Sequence, residues 1–298
     1  MPDKSIHIVV LLREVCDPRP PVRLTADGFG VRERGLRRIA NPADLSALEQ
    51  ALQFAAAQQG AVTAVIVGPK RTEDLLRLAI TIGAQRAIRV WDSAFVGGDF
   101  SADARVLERV IEILKPDFFF AGNRLIDQGA VPVPALAASR LGIPYVCAAL
   151  SVAMQDGEIE VLRKSDRGAR QLVGVKRPCA LLFENGSCEL RYPHKDSLVP
   201  SLQAPIEQWG IPELGLPYSE LGSFGAKLGK ERCSFPRTNP RRVVTPDANL
   251  PAFNRILALL SGGIKAREGK LNALSAAETA DKMMDIFQAE GLFGGGEN

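Results

Sequence analysis

The stretch GNRLIDQGAVPVPALAASRLGIP, Gly122 to Pro144, begins as a loop suited to an anion. A glycine-led turn follows the apolar run Phe118–Ala121 and leads into an Ala/Leu-rich helix. In α/β proteins that arrangement aims the free N–H groups of a helix start at a negatively charged ligand. Pro132 and Pro134 fall where those N–H groups are needed, and proline has none. Gly122 permits close backbone approach directly after the strand, and Asp127 ends the loop's hydrophilic stretch. The spacing suggests a phosphate cradle short of several donors. Upstream, Asn41 before Pro42 suits a helix start, because Asn is a favoured cap and Pro a favoured first residue.

Other chemistries find little support. The five cysteines, Cys16, Cys147, Cys179, Cys188 and Cys233, show no CxxC spacing. With only His7 and His194 beside them, a zinc or iron–sulfur set is not indicated, and reduced cytosolic thiols are the expectation. The same count argues against histidine acid–base catalysis: His7 alternates into a strand and His194 lies in a polar loop. The run LLSGGIKA, Leu259–Ala266, mimics the glycine loop with which ATP pyrophosphatases bind pyrophosphate. Lys265 and Ala266 replace its Asp–Ser pair and a helical segment precedes it, so a helix C-cap is expected and an adenylating enzyme is the weakest reading. Among 298 residues, 37 basic and 34 acidic side chains leave a net charge of +3, too balanced to argue for nucleic acid or membrane. No apolar run approaches the ~20 residues of a bilayer span. The opening MPDKSIHIVVLL reads as a strand and not a signal peptide, so a cytoplasmic protein is expected.

The elements that must position the loop are periodic. Ile6–Leu12, Val62–Gly68, Arg86–Trp91 and Asp117–Gly122 read as buried strands. Between them lie helical patterns: Pro42–Gly60, with Leu45, Leu48, Leu52 and Ala55 on one stripe; a segment after Thr72, read as its cap, closing at Gly83; and Ser101–Pro116. Strand–helix alternation implies right-handed crossovers and a parallel sheet. After Pro144 four strand-like pieces, YVCAALSVAM, GEIEVLRKS, ARQLVGVK and PCALLFENG, are separated by turn signals and suggest an antiparallel extension. From Leu190 to Pro251 Pro and Gly dominate, and a meandering arm is expected. Two late helices follow, at Ala252–Gly263 and Ser275–Gly291; Ser275 with Glu278 has the form of a capping box, and Met283 and Met284 read as packing residues.

The order of landmarks resembles the β subunit of electron transfer flavoproteins, the family that includes FixA proteins. That family's K-R-V-x-D stretch is matched by LLREVCD, its acidic-glycine turn by TADGFGV, and its N-P-F-D/C-E-x-A-L-E-E-A helix start by NPADLSALEQA. AVIVGP and IGAQRA match the following strand and helix end, and GNRLIDQGAVPVP stands for the nucleotide loop G-K-Q-A-I-D-x-D-x-x-Q-T/V-G at equal length. RKSDRG, ELRYPHKDSLVP and REGKLN with the final helix complete the series. The match covers about Ile6 to Leu202 and Arg267 to Phe293; nothing familiar lies between Gly215 and Gly263.

The resemblance implies an α/β fold with a Rossmann-like parallel sheet of the adenine nucleotide α-hydrolase type, an antiparallel extension and a C-terminal arm. It implies residues 1–202 as a nucleotide-binding domain with a partner-recognition loop, and 203–298 as an arm wrapping an α subunit. It implies an electron carrier and not an enzyme: a heterodimer whose α subunit carries FAD, moving electrons from a flavin-dependent dehydrogenase to a quinone oxidoreductase or another acceptor. Structural AMP is implied here, or a second FAD as in the bifurcating branch. A stand-alone nucleotide-sensing module is the alternative of another class. Carried over by position, the site comprises Leu11, Asn41, Pro42, Ala43, Asp44 and Val67. The loop adds Gly122, Asn123, Arg124, Leu125, Ile126, Asp127, Gln128, Gly129, Ala130, Val131, Pro132 and Val133. Gly129 to Pro134 depart from the family pattern, losing a carboxylate, a hydroxyl or amide and two backbone donors. At roughly 1.5–3 kcal/mol each, two or three such losses weaken binding at least ~100-fold, so AMP is expected to be held less securely here. Ala43 replaces an aromatic that in many members reaches toward the partner's flavin. Leu198 matches the exposed leucine with which members dock on their dehydrogenase, as an apolar residue on a mobile loop, and the basic run that often follows it is absent.

Overall fold

The computed structural model describes residues 5–21, 23–26, 30–32, 35–130, 132–155, 157–229, 246–260 and 274–289. The strands are β1 His7–Leu12, β2 Glu14–Cys16, β3 Arg38–Ala40, β4 Ala61–Val67, β5 Arg86–Val90 and β6 Phe118–Gly122, then β7 Tyr145–Gln155, β8 Glu158–Lys164, β9 Arg170–Val175, β10 Cys179–Phe183 and β11 Glu207–Trp209. The helices are α1 Pro42–Ala57, α2 Glu73–Thr81, α3 Phe100–Leu114, α4 Val133–Arg140 and α5 Lys195–Gln203, the short α6 Ile211–Leu214 and α7 Gly222–Gly225, and α8 Ala252–Leu260 and α9 Ala276–Ala289. They fall into two compact units, Met1–Ser234 and Phe235–Asn298.

In the first unit nine strands form one sheet in the order β11-β5-β4-β1-β6-β10-β7-β8-β9. Its pairings are parallel from β11 through β7, and antiparallel between β7, β8 and β9. From the central β1 the chain steps outward through α1, β4, α2 and β5, then returns through α3 to place β6 on the other flank of β1. The C-terminal ends of β1 and β6 therefore bound the crevice where an open α/β sheet accepts ligands.

Alternation along Phe118–Phe120 splits the core into two layers. Phe118 and Phe120 face α1, with ring centroids 5.1 and 6.5 Å from Phe54, while Phe119 packs with α3 and α4 on the opposite face. The helical stripe expected on α1 is present, but its outer face is covered too. Ser46 donates to the Cys188 carbonyl at 2.9 Å, and Glu49, 3% exposed, accepts from the Arg191 side chain and backbone.

Three local expectations are corrected. Thr72 does not cap α2: a 3-10 turn, Lys70–Thr72, runs straight into the helix, so Thr72 is already helical and its hydroxyl donates to the Pro69 carbonyl at 2.8 Å. The fourth strand-like piece is not part of the antiparallel extension. Every residue of β10 is buried, and it inserts in parallel between β6 and β7, as a continuously apolar strand does when covered on both faces. The irregular stretch after Leu190 contains order: α5 packs on α2, through a Thr81 hydroxyl that donates to Ser201 at 2.7 Å, and β11 extends the sheet beside β5. In the second unit Ser275 and Glu278 form the expected box: the Ser275 amide donates to the Glu278 carboxylate at 2.9 Å. Met283 and Met284 are half-exposed on α9. The glycine mimic after Leu260, the tail matched to the family at REGKLN, and Cys233 lie outside the described residues.

Candidate functional site

The crevice is built on one buried fork. Arg13, one residue past β1, donates from Nε and NH2 to the two carboxylate oxygens of Asp44 at 2.9 and 2.6 Å. The same NH2 reaches the Gly122 carbonyl at 2.7 Å, and the Gly122 amide returns a bond to Asp44 at 2.7 Å. This ring ties the ends of β1 and β6 to the first turn of α1. Asp44 is 1% exposed, so its charge is held by full pairing, near the positive end of a helix. The approach is tight enough to require glycine: a Cβ at residue 122 would meet Asp44 Oδ1 at 2.5 Å and the Ala43 Cβ at 2.7 Å.

A second brace holds the loop. Asn41 is the residue before α1, but its side chain does not cap the helix. Its Nδ2 donates to the Arg124 carbonyl at 2.9 Å and its Oδ1 accepts from the Ile126 amide at 3.2 Å. Asp127 accepts from the Cys16 amide of β2 at 3.1 Å. Leu125 and Gly129 exchange two backbone hydrogen bonds of 2.8 Å, closing a tight turn in which Gly129 takes a φ of +77°. The loop ends at Pro132, and α4 begins at Val133 with Pro134 in its first turn. That leaves Val133 and Ala135 as the N–H carriers before Leu136, which bonds to the Pro132 carbonyl.

The residues read from the sequence divide into three groups. Leu11, Val67, Leu125, Gln128 and Val133 line a pocket of about 270 Å³ at the sheet's C-terminal edge. Asn41, Ala43 and Asp44 are buried beneath it as supports, as is Gly122, with Pro42 half-buried at the helix start. Asn123 turns away, its amide donating to the Phe183 carbonyl and its side chain to Glu184. Arg124, Ile126, Gly129, Ala130 and Pro132 are exposed on the loop's outer side, and Val131 lies outside the described residues.

The remaining pocket walls are Arg13, Trp91, Phe95, Phe100, Asp103 and Leu107, none of which the sequence reading singled out. Trp91 follows β5 directly and meets Phe95 edge-on at 6.2 Å. The available signal was positional: Arg13 and Trp91 each end a parallel strand on the ligand edge. Asp103, in the first turn of α3, is an exposed residue at the pocket's mouth. Surrounding protein nevertheless pushes its carboxyl up to about 6, burial first and the neighbouring Asp99 second, against the tempering effect of water at the mouth.

Two buried polar atoms lack a protein partner at this site, Arg13 NH1 and Asp127 Oδ1. A buried donor left open costs about 1–3 kcal/mol, more if charged, and calls for an explanation. Together with the glycine-led turn and the apolar walls, this set suits a ligand with an anionic end for the Arg13 cation and a flat apolar part for the aromatic walls. His7 sits in β1 with its Nε2 2.9 Å from the Thr63 hydroxyl, and His194 precedes α5; neither lines this pocket.

Leu198 lies on α5 and not on a loop. It is 47% exposed, and Val199 and Leu202 beside it are more exposed still.

Comparison with known proteins gives a consistent picture. The electron transfer flavoprotein domain matches residues 28–214. The protein FixA of Rhizobium meliloti is 31% identical over 219 residues, covering 71% of this chain and 74% of its own. The electron transfer flavoprotein β subunit of Clostridium acetobutylicum is 30% identical, covering 77% and 88%, and that of Methylophilus methylotrophus 29%, covering 78% and 89%.

Proposed function

The chain belongs to the electron transfer flavoprotein β-subunit family, and on that premise we propose that it is the nucleotide-holding half of a heterodimer whose α subunit carries FAD. In this reading the partner's flavin supplies the redox chemistry, and the chain orients and stabilises the assembly around a bound AMP. Electrons pass from a flavin-dependent dehydrogenase to a quinone reductase or another acceptor, and this subunit makes and breaks no bonds of its own.

The observation that carries the nucleotide reading is the buried, unpartnered NH1 of Arg13 beside a glycine-led loop at the sheet's switch point. Arg13 would supply a fixed cationic donor for phosphate, and Val133 and Ala135 what remains of the helix-start amides. The prolines at 132 and 134 support the expectation of weaker binding than a full helix N-terminus allows. Residues 1–202 form the nucleotide-binding part in this proposal, and 203–298, with the insert Gly215–Gly263, the contact with α. In support, α8 exposes Phe253, Ile256, Leu257 and Leu260 at helical spacing, and α9 exposes Met283 and Ile286. The exposed Leu198, Val199 and Leu202 support docking on the dehydrogenase through α5. No helix among the described residues is long and apolar enough to cross a membrane.

The test is co-purification with an α subunit of the family, followed by the visible spectrum and acid extraction with identification of the released nucleotides. One flavin and one AMP per heterodimer is the expected result. Two flavins would assign this site to FAD. A chain that stays monomeric, with no flavin-bearing partner, would overturn the proposal in favour of a stand-alone nucleotide module.

A further inference from the structure

Three polar side chains reach the 270 Å³ pocket: Arg13, Gln128 and Asp103. Arg13 is tied to Asp44 and Gly122, and Gln128, exposed like Asp103, carries an amide that can both donate and accept and so selects neither. Asp103 is the pocket's one carboxylate, and its side chain has no hydrogen-bond partner among the described residues. Its neighbour Asp99 shows the contrast. That carboxylate accepts from the amides of Ser101 and Ala102, capping α3, and from the amides of Lys227 and Leu228. One acid of the pair is consumed by the fold, and the other is left facing a slot walled by Trp91, Phe95, Phe100 and the aliphatic Leu11 and Val67. At about 270 Å³ the slot is smaller than the ~300–1,000 Å³ typical of a complete small-molecule site. It suits one flat part of a larger ligand.

We infer that Asp103 reads the base of the bound nucleotide, its carboxylate accepting a hydrogen bond from the exocyclic amino group of a purine stacked among the aromatic walls. This rests on the nucleotide reading proposed above and adds a specificity-determining residue to it. A carboxylate can only accept, so it selects a ligand edge that donates, and an analogue lacking that group forfeits the charge-assisted bond. An acid in the first turn of a helix also complements the helix dipole. That role alone gives no preference between two bases, so the test is built on preference.

The experiment is calorimetric titration of the nucleotide-free, full-length chain with AMP and with purine riboside 5′-monophosphate, which differs by the missing amino group. The wild type is expected to bind AMP about 10-fold or more tightly than the analogue, the scale of one charge-assisted hydrogen bond. Asp103→Ala is expected to lower AMP affinity by about that factor and leave the analogue unchanged, so that the two ligands become equal. Asp103→Asn, which keeps an acceptor oxygen, retains part of the preference; circular dichroism checks that both variants fold. Equal binding of the two ligands by the wild type, or an equal loss of both in Asp103→Ala (the mark of a ribose contact or a structural role), would overturn this inference while leaving the nucleotide site standing. Failure of both ligands to bind the wild type would remove the nucleotide reading itself.

Discussion

Asp44 stands almost fully buried with two guanidinium bonds and one amide bond. Asp44→Ala is therefore expected to strand Arg13 as an uncompensated charge and destabilise the fold by about 3–5 kcal/mol, read from urea unfolding. Asp103 behaves oppositely. Its carboxyl is raised in the folded state to about 6 from an ordinary 3.8, so the fold favours the protonated form. The stabilisation is full below the ordinary value and is lost as pH rises through about 6. Asp103→Asn should then raise the melting temperature at pH 8 and change it little at pH 4. The gain is roughly 1 kcal/mol at most once solvent at the mouth is allowed for. A variant with the same stability difference at both pH values would refute that picture. Neither role was legible from the residues alone. Asp44 was a family carry-over, and Asp103 looked like any acid at a helix start.

At the scale of elements, the end of β6 is the least forgiving point. Gly122→Ala drives a methyl against Asp44 and Ala43, and is expected to cost about 1–3 kcal/mol and loosen the loop, visible as faster amide exchange at residues 123–129. The outer face of α1 offers a pH-dependent counterpart. Burial pushes the Glu49 carboxyl up, but hydrogen bonds from Arg191 and Gln53 outweigh it, so the net shift is downward. A lowered carboxyl stabilises above its ordinary 4.5 and loses that contribution as pH falls. Arg191→Met should thus destabilise by about 1–2 kcal/mol at pH 7, and the gap from wild type should close in acid unfolding below pH 4. The helices and inner strands were legible because their signals repeat within a few residues: the α1 stripe, the Phe118–Phe120 run, Gly83 at a helix end. The place of β10 was not, since a buried strand's sequence does not name its neighbours. Nor was the Asn41 side chain, drawn from a capping role to a loop folded back over 80 positions away.

For the whole molecule, the chain's two compact units make a truncation informative. Residues 1–229 are expected to unfold with the same midpoint as the first unit of the full chain, and to lose co-purification with the α subunit. A truncated chain that still forms the heterodimer would confine the partner contact to residues 1–229 and rule out a need for α8 and α9. Sequence order suggested an arm beginning near 203, yet β11 and α6 lie in the sheet-bearing unit, where Trp209 and Leu214 join the layer formed by α3 and α4.

The sequence by itself determined that strands and helices alternate, that the sheet's inner strands run parallel, and that two prolines strip donors from the loop after β6. These are local facts, written in the periodicity and covalent chemistry of neighbouring residues. The tertiary structure alone decided that Arg13 would grip Asp44 across 31 positions and Asp44 hold Gly122 across 78, and that Trp91 and Asp103 would face the same pocket. The reason is physical: such contacts form only when burial of both sheet faces brings distant segments together, and nothing near a residue in the chain records which distant partner that will be.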